Sequence, residues 1–508
     1  MKKISFFSKI SMVAIFLSFC SQSCTNLDEK LYDQVTTDKF FKTDEEVIAA
    51  VGAAYTSLYG GIGGHNSVWS DNEVSSDELV IPHRGADWYD GGQWLRMHRH
   101  EYTKNEPSFN NSWTYCYGGI STCNRLLYQF DQLKLGDKVT PFIAELKTLR
   151  ALYYYILLDM FGNVPVVTNF ADATPPTTKA RKDVYAFIES ELLASIPLLS
   201  KVKDPSTYAR INYYAGQAIL AKLYLNAGVY TGTPQWSKAA AAANEIITSG
   251  KFFLEGNYYD NFKTDNAGSR ENIFVIPYDK VFAQGFNMPQ MTLHYSSQST
   301  YDLQKQPWNG YCSISDFYNS YDNADARKKN FLAGAQYSST GERLVDANFE
   351  AADPDGKLLT FTPELNQLEP GCFRQAGVRI GKYEFASGST ENLSNDYPIL
   401  RYADIVLIRA EALWKQNAGD AEALTLVNSI RSRAGVAPYA SITSANLLAE
   451  RGREMFAEAW RRQDMIRFGT YTQPFQFKAA VDDACKIIFP IPNAQINANS
   501  GLTQNPCY

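Results

Sequence analysis

The stretch LLAERGREMFAEAWRRQDMIRFG, residues 447–469, carries the strongest indication of the fold. Its apolar residues recur every three to four positions, and this spacing predicts one amphipathic helix. Exposed ion pairs contribute only about 0.3–0.5 kcal/mol each. So many charges beside Trp460 therefore predict a partly buried ion-pair network on the opposite side, formed by Glu450, Arg453, Glu454, Glu458, Arg461, Arg462, Asp464 and Arg467.

The carboxylates of this helix have two possible roles. Glu454 and Glu458 lie on one face, and paired carboxylates can perform acid–base catalysis. Arginines flank both acids, which favours ionised carboxylates with a structural role. Glu458 precedes Arg461 and Arg462 by three and four residues, so ion pairs within the helix are expected. The structural interpretation is the stronger one.

Three motifs near the C-terminus resemble one known family. The first comprises Glu450, Arg451, Glu454, Glu458, Arg462, Asp464, Ile466, Arg467, Phe468 and Gly469. The second is YPILRYADIVLIRAEALW (residues 397–414), and the third is FPIPNAQINANSGLTQNPCY (residues 489–508). In their order along residues 397–508 they resemble the SusD-like (RagB/SusD) outer-membrane lipoproteins of Bacteroidetes. Cys507 stands where the family usually has glycine, and a changed last turn is expected because cysteine reaches positive φ less easily.

The resemblance implies a mostly α-helical fold. Degenerate tetratricopeptide-like hairpins would form a scaffold mainly from residues 40–60, 112–250 and 400–470. An irregular, loop-rich lobe with a few short strands would comprise mainly residues 61–111 and 251–396. Residues 24–508 would then form a single SusD-like domain.

Hydrophobic periodicity agrees with such a scaffold. A first helix is expected to open with a capping box between Thr43 and Glu46. Paired helices at a spacing of about 34–40 residues are typical of tetratricopeptide units. One strand is predicted at residues 272–279, and helices are predicted at residues 112–131, 140–161, 181–199, 211–228, 235–250, 402–416 and 421–434.

The N-terminus has the pattern of a lipoprotein signal peptide, residues 1–23. Three lysines precede an apolar run at residues 10–19, which is too short to span a bilayer. Ser23 is the small residue that a lipoprotein peptidase requires, so Cys24 is the predicted lipid-attachment site; ordinary secretion is the alternative. The membrane would then be reached through the lipid anchor only. Asp28 and Glu29 resemble a surface-export signal, or form a solvated tether.

Charge and cysteine usage narrow the functional classes. The net charge is −6, and an acidic chain has no general attraction to nucleic acid. The cysteines form no CxxC or zinc-like cluster. Cys116 and Cys123 lie two helical turns apart, too far for a disulfide, so buried free thiols are expected. His98 and His100 would share one face of a strand without a third ligand, so neither a metal nor a cofactor is predicted.

Residues 66–103 show poor periodicity and many glycines, which is typical of a loop that carries binding residues. A tryptophan on such a loop can stack on a sugar ring, and neighbouring carboxylates can accept hydroxyl hydrogen bonds. The alternative is that Trp88 and Trp94 anchor the loop and that the aromatic residues of the second lobe pack its interior. The ligand-binding candidates are Asp71, Trp88, Tyr89, Asp90 and Trp94, with Tyr295, Trp308, Asn309 and Tyr311 from the second lobe.

These residues fit four possible functions to different degrees. The resemblance implies a cell-surface lipoprotein of the outer membrane, facing the exterior, that binds an oligo- or polysaccharide and delivers it to a TonB-dependent (SusC-like) transporter. Uptake of peptides by the same mechanism is the alternative. A glycoside hydrolase is disfavoured because no nucleophile elbow, phosphate loop or metal motif is present. A pure tetratricopeptide scaffold would leave the aromatic insertions without a purpose.

Overall fold

Residues 447–469 form two helices and not one. The computed structural model describes residues 41 and 43–508, and it breaks this stretch between Met455 and Arg461. Ala457 and Ala459 take positive φ values of 57° and 65° in the break. Their backbone N–H groups donate to the buried carboxylates of Glu78 (3.3 Å) and Glu73 (2.5 Å). The single-helix prediction is wrong because these distant carboxylates replace the intrahelical acceptors.

The charges of the two helices form the buried network that the sequence predicts. Glu454 accepts hydrogen bonds from Arg401 (2.7 Å) and Arg327 (3.1 Å) and pairs with Arg433 at 2.5 Å. Burial alone would raise the pKa of Glu454, but the three guanidinium groups together hold it well below its ordinary value. The carboxylate is therefore ionised and structural.

The remaining members of the network pair mostly with residues of other elements, although Arg467 with Asp464 and Arg453 with Glu450 are pairs within one helix. Glu458 pairs with Lys382 and Arg401, both at 2.6 Å, so the predicted pairs with Arg461 and Arg462 are wrong. The other pairs are Glu450 with Arg327 and Arg431, Arg451 with Asp404 and Asp464, Arg467 with Glu411 and Asp464, and Arg462 with Asp159.

Most of the regular structure is helical, as predicted. The capping box of the first helix is present, with Thr43 and Glu46 each accepting from the other's backbone N–H. The α-helices are α1 Asp44–Thr56, α2 Val68–Val74, α3 Gln93–His98, α4 Pro107–Leu133, α5 Thr140–Met160, α6 Arg181–Ser195, α7 Tyr213–Leu225, α8 Ala227–Thr231, α9 Trp236–Ile247, α10 Met288–Thr292, α11 Ser315–Asn319, α12 Tyr402–Gln416, α13 Ala421–Arg433, α14 Ser444–Met455, α15 Arg461–Phe468 and α16 Asn493–Ala498.

Helical hairpins stack on one another to build the scaffold. Helix α4 packs on α5, α7 packs on α9, and α12 packs on α13. Helix α9 also packs on α12, so two hairpins separated by the long insertion at residues 251–396 become neighbours. The buried face of α9 is built from small residues, Ala239, Ala240, Ala242 and Ala243, which allow close approach on both sides. This packing buries apolar faces that a single hairpin would leave exposed.

Strands are short and confined to the less regular parts. In the described part of the chain, the named strands form four antiparallel pairs: β1 Leu79–Val80 with β3 Cys312–Ser313, β2 Asn272–Ile276 with β8 Tyr397–Arg401, β4 Phe331–Leu332 with β7 Arg379–Ile380, and β5 Gly334–Ala335 with β6 Thr360–Phe361. The predicted strand at 272–279 is confirmed over its first five residues. The predicted loop at 66–103 contains helices α2 and α3, and α4 begins at Pro107, five residues before the predicted start.

The C-terminal segment is fastened by a disulfide that the spacing of cysteines does not predict. Cys485 and Cys507 are bonded, with Cα atoms 6.0 Å apart and a sequence separation of 22. Cys507 takes a φ of 79°, so the turn expected to change keeps the left-handed conformation that glycine favours. The free-thiol prediction is wrong for this pair. It is confirmed for the other four cysteines of the described residues, Cys116, Cys123, Cys312 and Cys372, which are free and buried.

Ile48–Tyr508 form one compact unit. No helix among residues 41 and 43–508 combines the length and the apolar character needed to cross a bilayer. The predicted signal peptide, Cys24, Asp28 and Glu29 lie outside the described residues.

Candidate ligand-binding site

A short strand pair brings the two predicted binding segments together. Strands β1 and β3 pair in a register that sets Leu79 opposite Ser313 and Val80 opposite Cys312. The loop that follows β1 therefore lies beside the segment that precedes β3. This places Trp88 next to Trp308, although 220 residues separate them in sequence. Their proximity is a consequence of strand pairing.

Five aromatic rings form a cluster at this junction: His65, Trp88, Trp94, Trp308 and Tyr311. His65 lies within reach of the other four, with ring centroids 5.1 Å from Trp88, 5.4 Å from Trp94, 5.8 Å from Tyr311 and 6.3 Å from Trp308. The rings of Trp88 and Trp308 are 6.4 Å apart and tilted by 50°. We call these five residues the aromatic cluster.

Trp88 is held in place by a hydrogen bond from its indole N–H and by packing against Gly310. Its backbone takes a φ of 66°, and its indole N–H donates to the Trp308 carbonyl at 2.6 Å. The ring lies directly against Gly310, where a Cβ atom would approach its carbons to 2.4 Å. Glycine is therefore required at this position for Trp88 to sit where it does.

The predicted residues divide into an exposed set and a buried set. Trp88, Trp308 and Tyr295 are half-buried, and Tyr89 and Asp90 are exposed. The Tyr295 hydroxyl donates to Asp87, and the Arg374 guanidinium lies 4.4 Å from the centre of its ring. These side chains offer fixed ring faces and carboxylates at the surface.

The four buried candidates have no side-chain surface to offer a ligand. Asp71 accepts from the Ser112 hydroxyl at 2.6 Å in the interior. The Trp94 indole N–H donates to the Asp90 carboxylate at 2.7 Å. The Tyr311 hydroxyl lies 2.6 Å from Ser70 Oγ and 2.8 Å from His65 Nδ1. The prediction of direct ligand contacts is therefore corrected for Asp71, Trp94, Asn309 and Tyr311, which lie in the interior.

Two buried arginines fix the loop that carries Trp308. Arg84 donates to the carbonyl oxygens of Asn309 (3.1 Å) and Gly310 (2.8 Å). Arg379 donates to the side-chain oxygen of Asn309 at 2.8 Å. Asn309 itself takes a φ of 56° and is completely buried. Its amide stabilises the turn between Trp308 and Gly310.

Burial keeps His65 of the aromatic cluster, and Tyr295 beside it, uncharged at neutral pH. It lowers the pKa of His65 to about 4, so the imidazole is uncharged at neutral pH. Burial, helped by the neighbouring Asp87 carboxylate, raises the pKa of Tyr295 to about 12. Uncharged aromatic faces with polar groups at the rim suit a ligand that is itself apolar on one face and polar at its edges.

The histidines singled out in the sequence are engaged by the protein itself. His98 ends helix α3 and His100 follows it with a φ of 57°, so the predicted strand is wrong. The ring nitrogens of His98 lie 3.2 Å and 2.8 Å from the carbonyl oxygens of Val74 and Gln476. Those of His100 lie 2.6 Å from Asp482 and 2.8 Å from the Ser75 carbonyl.

Among the described residues, one group of three potential ligands, Asp483, Cys485 and Cys507, is compact enough to hold a metal ion. Both of its sulfur atoms are already joined in the disulfide. A disulfide sulfur is not the thiolate that binds metals, so this group does not make a metal site.

The aromatic cluster contains one important residue that sequence reasoning missed. His65 follows the glycine-rich segment GGIGG at residues 60–64, which gives no periodic signal. Gly285 packs against this run, where an added Cβ would lie 2.8 Å from the Gly60 nitrogen. The glycine run therefore allows close backbone contact and delivers His65 to the cluster, and that contact is not visible in the sequence.

Family models match most of the chain. The model described as the SusD family matches residues 270–508, and the model described as starch-binding associating with outer membrane matches residues 25–225. The chain belongs to the SusD-like family. The predicted family and the predicted mostly helical fold are both confirmed.

Relatives and solved structures agree with this assignment. Starch-binding protein SusD of Bacteroides thetaiotaomicron is 26% identical over 414 residues, covering 72% of each chain. A structure titled laminarin binding SusD-like protein superposes with a TM-score of 0.73 at 22% identity, covering 92% of this chain and all of that one. Surface glycan-binding protein A from the same Bacteroides species, in complex with laminarihexaose, gives 0.71 at 24% identity, covering 91% of this chain and 99% of that one.

Proposed function

We propose that this SusD-like protein binds an oligo- or polysaccharide at the cell surface and delivers it to a partner TonB-dependent, SusC-like outer-membrane transporter. The observation that carries the proposal is the fixed pair of half-buried tryptophans, Trp88 and Trp308, whose rings meet at the surface with a tilt of 50°. A sugar ring has apolar C–H faces and polar edges, so it can stack on an indole while its hydroxyl groups reach the rim.

The rim supplies the polar contacts that the proposal needs. Asp90 and Asp87 are exposed close to Trp88 in the chain, and Asp87 accepts a hydrogen bond from the Tyr295 hydroxyl. Each aromatic contact is worth about 0.5–1.5 kcal/mol. Several such contacts along one oligosaccharide are therefore required for useful affinity, which fits a site with more than one aromatic face.

The names of the relatives support a binding role and not a catalytic one. The curated relative is named as a starch-binding protein, and the neighbouring structures are titled as laminarin- and glycan-binding proteins. The paired carboxylates with the spacing for acid–base chemistry, Glu454 and Glu458, are buried in ion pairs. We therefore assign no catalytic residue.

The binding experiment uses the soluble chain that begins after Cys24. Calorimetry against a panel of polysaccharides that includes starch and laminarin should find saturable binding to one of them. Trp88→Ala and Trp308→Ala should each abolish or strongly weaken that binding. Trp236→Ala is the matched control, because Trp236 is a half-buried tryptophan at the start of the scaffold helix α9.

The outcomes separate the alternatives. Loss in both cluster variants with normal binding by the control supports the proposed site. Equal binding by the wild type and all three variants would show that the glycan binds elsewhere on the surface. Flat titrations against every polysaccharide, with intact folding, would refute glycan binding and favour peptides as the ligand.

Membrane attachment and the transporter need separate tests. Cys24→Ala should release the protein from the outer membrane, because the proposed attachment is through acyl chains at that residue only. A complex purified from detergent-solubilised membranes through this protein should contain a TonB-dependent transporter. Its absence under conditions that retain glycan binding would refute the delivery step while leaving the binding site in place.

A further inference from the structure

A second surface feature, which we call the polar groove, adjoins the proposed site. It runs between residues 295–306 and residues 338–345 and has a volume of about 830 Å³. Ligand pockets commonly enclose about 300–1,000 Å³, so the groove is large enough for a small-molecule ligand. Tyr295 lines it, and the same tyrosine donates its hydroxyl hydrogen to Asp87, the residue before Trp88.

Hydrogen bonds between its two walls fix the shape of the groove. The backbone N–H of Ser339 donates to the Ser299 carbonyl at 2.8 Å. The Thr300 hydroxyl donates to the Tyr337 carbonyl at 2.8 Å, and the Ser296 hydroxyl donates to the Val345 carbonyl at 2.7 Å. A ligand that enters such a preformed groove does not have to order it first, which lowers the entropic cost of binding.

The chemistry of the lining favours an uncharged, hydroxyl-rich ligand. Half of the fourteen lining residues are serine, threonine or glutamine: Ser296, Gln298, Ser299, Gln306, Ser338, Ser339 and Thr340. These groups both donate and accept hydrogen bonds, as sugar hydroxyls do.

Two of the charged groups in the lining are already satisfied by the protein. The Asp302 carboxylate accepts from the hydroxyls of Ser339 (2.8 Å) and Ser387 (3.1 Å). The Arg343 guanidinium donates to the Gln336 carbonyl at 2.9 Å and to the Thr360 hydroxyl at 2.8 Å. Both groups are therefore held by neutral hydrogen-bond partners. The third charged group of the lining is the exposed Glu342 carboxylate, which can accept hydrogen bonds from hydroxyl groups and disfavours an anionic ligand.

We propose that the polar groove is a second glycan subsite, which takes the continuation of the same chain whose first residues stack on Trp88 and Trp308. The inference rests on the proposed function. Tyr295 is the physical link, because it belongs to the groove and is bonded to the loop that carries Trp88. Two subsites joined by one ligand bind more tightly than either alone, and only for ligands long enough to reach both.

The experiment measures affinity against ligand length. Malto-oligosaccharides and laminarin oligosaccharides, each from disaccharide to heptasaccharide, are titrated into the soluble protein together with the polysaccharides of the panel. The groove variant is Gln306→Leu/Thr340→Val, which removes two exposed polar groups from the lining. Gln304→Leu is the matched control, because Gln304 is equally exposed two residues away but does not line the groove.

The wild-type affinity should keep rising with length after the shortest oligosaccharide that binds. Loss of an ordinary hydrogen bond weakens binding by roughly 2-fold to 10-fold, so the groove variant should bind the longest oligosaccharides about tenfold less tightly. It should bind the shortest one as the wild type does. Gln304→Leu should match the wild type at every length.

The failure of each proposal has a different signature. An affinity that stops rising beyond the shortest bound oligosaccharide, or a groove variant that matches the wild type throughout, would overturn the second subsite alone. Length-dependent binding that survives Trp88→Ala but not the groove substitutions would overturn the aromatic platform and keep the groove. No binding of any glycan, or peptide binding that the groove substitutions abolish, would overturn the glycan assignment of both.

Discussion

The position of Trp88 depends on the absence of a side chain at residue 310. An alanine Cβ at Gly310 would lie 2.4 Å and 2.5 Å from two ring carbons of Trp88 and 2.9 Å from the Met291 carbonyl oxygen. Carbon atoms in contact prefer about 3.5–4.0 Å, so the indole must move by about 1 Å or more. The carbonyl cannot yield easily because it belongs to the backbone. Gly310→Ala should therefore displace the ring while leaving the tryptophan in the chain.

Two magnitudes follow from this displacement. Overpacking of a well-packed position destabilises a protein by about 1–3 kcal/mol, so the melting temperature should fall. A misplaced ring loses an aromatic contact of about 0.5–1.5 kcal/mol. Since 1.4 kcal/mol corresponds to a factor of ten, the glycan affinity should fall by roughly 2-fold to 12-fold. The hydrogen bond from the Trp88 indole to Trp308 should lengthen at the same time.

The assay combines calorimetric titration of the bound glycan, thermal unfolding and near-ultraviolet circular dichroism of the tryptophans. Gly118→Ala is the matched control, because Gly118 lies within helix α4 with no atom within 4 Å of the added Cβ. It should keep the affinity and gain up to about 1 kcal/mol of stability from helix propensity. A Gly310→Ala protein with wild-type dichroism, melting temperature and affinity would refute the role assigned to the packing of Trp88.

Three further predictions concern the framework. Glu454→Gln leaves buried guanidinium groups without their counter-charge, so it should lower the unfolding free energy by about 3–5 kcal/mol. The control Glu422→Gln, at an exposed ion pair, should change the unfolding free energy by less than about 1 kcal/mol. Equal urea midpoints for the two variants would refute the difference between buried and exposed pairs. Burial raises the pKa of Asp71 to about 7, so the free-energy cost of ionising this carboxyl in the folded state grows as the pH rises towards 7. Asp71→Asn removes that cost, and urea titrations should therefore show a larger stabilisation by this variant at pH 8 than at pH 5. The double variant Cys485→Ser/Cys507→Gly should have an unfolding free energy about 1 kcal/mol higher than that of Cys485→Ser/Cys507→Ser, because residue 507 has a positive φ that glycine adopts without strain. Equal urea midpoints of the two variants would show that the turn relaxes when the disulfide is removed.

The helical scaffold could be predicted from the sequence because its signal is local. Helix α12 was predicted at its observed ends, 402–416, and α13 to within one residue. Apolar spacing fixes which residues face the core, and the cluster around Val406, Leu407, Val427 and Ile430 follows from it. No distant residue is needed to decide where such a helix begins or ends.

The break at residues 456–460 could not be predicted because its cause is distant. Apolar spacing continues through it, and alanine is the best helix former. The backbone leaves the helix because Glu73 and Glu78, almost four hundred positions earlier in the chain, accept the N–H groups of Ala459 and Ala457. A single-sequence pattern contains no information about that contact.

The candidate site contains residues that could be predicted from the sequence and contacts that could not. Trp88 and Trp308 were identified from residue type and loop context, but their contact depends on the pairing of β1 with β3. Burial separated Asp71 and Tyr311 from the exposed residues, and burial is not readable from an irregular segment. The groove walls were missed for the same reason, because serine and threonine in a loop give no periodic signal.

The family signature also explains how an irregular lobe can hold a precise site. Arg327 and Lys382 belong to the insertion at 251–396, and their charges are neutralised by Glu450, Glu454 and Glu458 of the signature. Charges that are buried in this way must keep their partners, because an unpaired buried charge is far more costly than an exposed one. The network therefore fixes the insertion on the scaffold at a few points. The loops between those points need only carry the aromatic and hydroxyl groups that meet a ligand, so they can differ in sequence without loss of the fold.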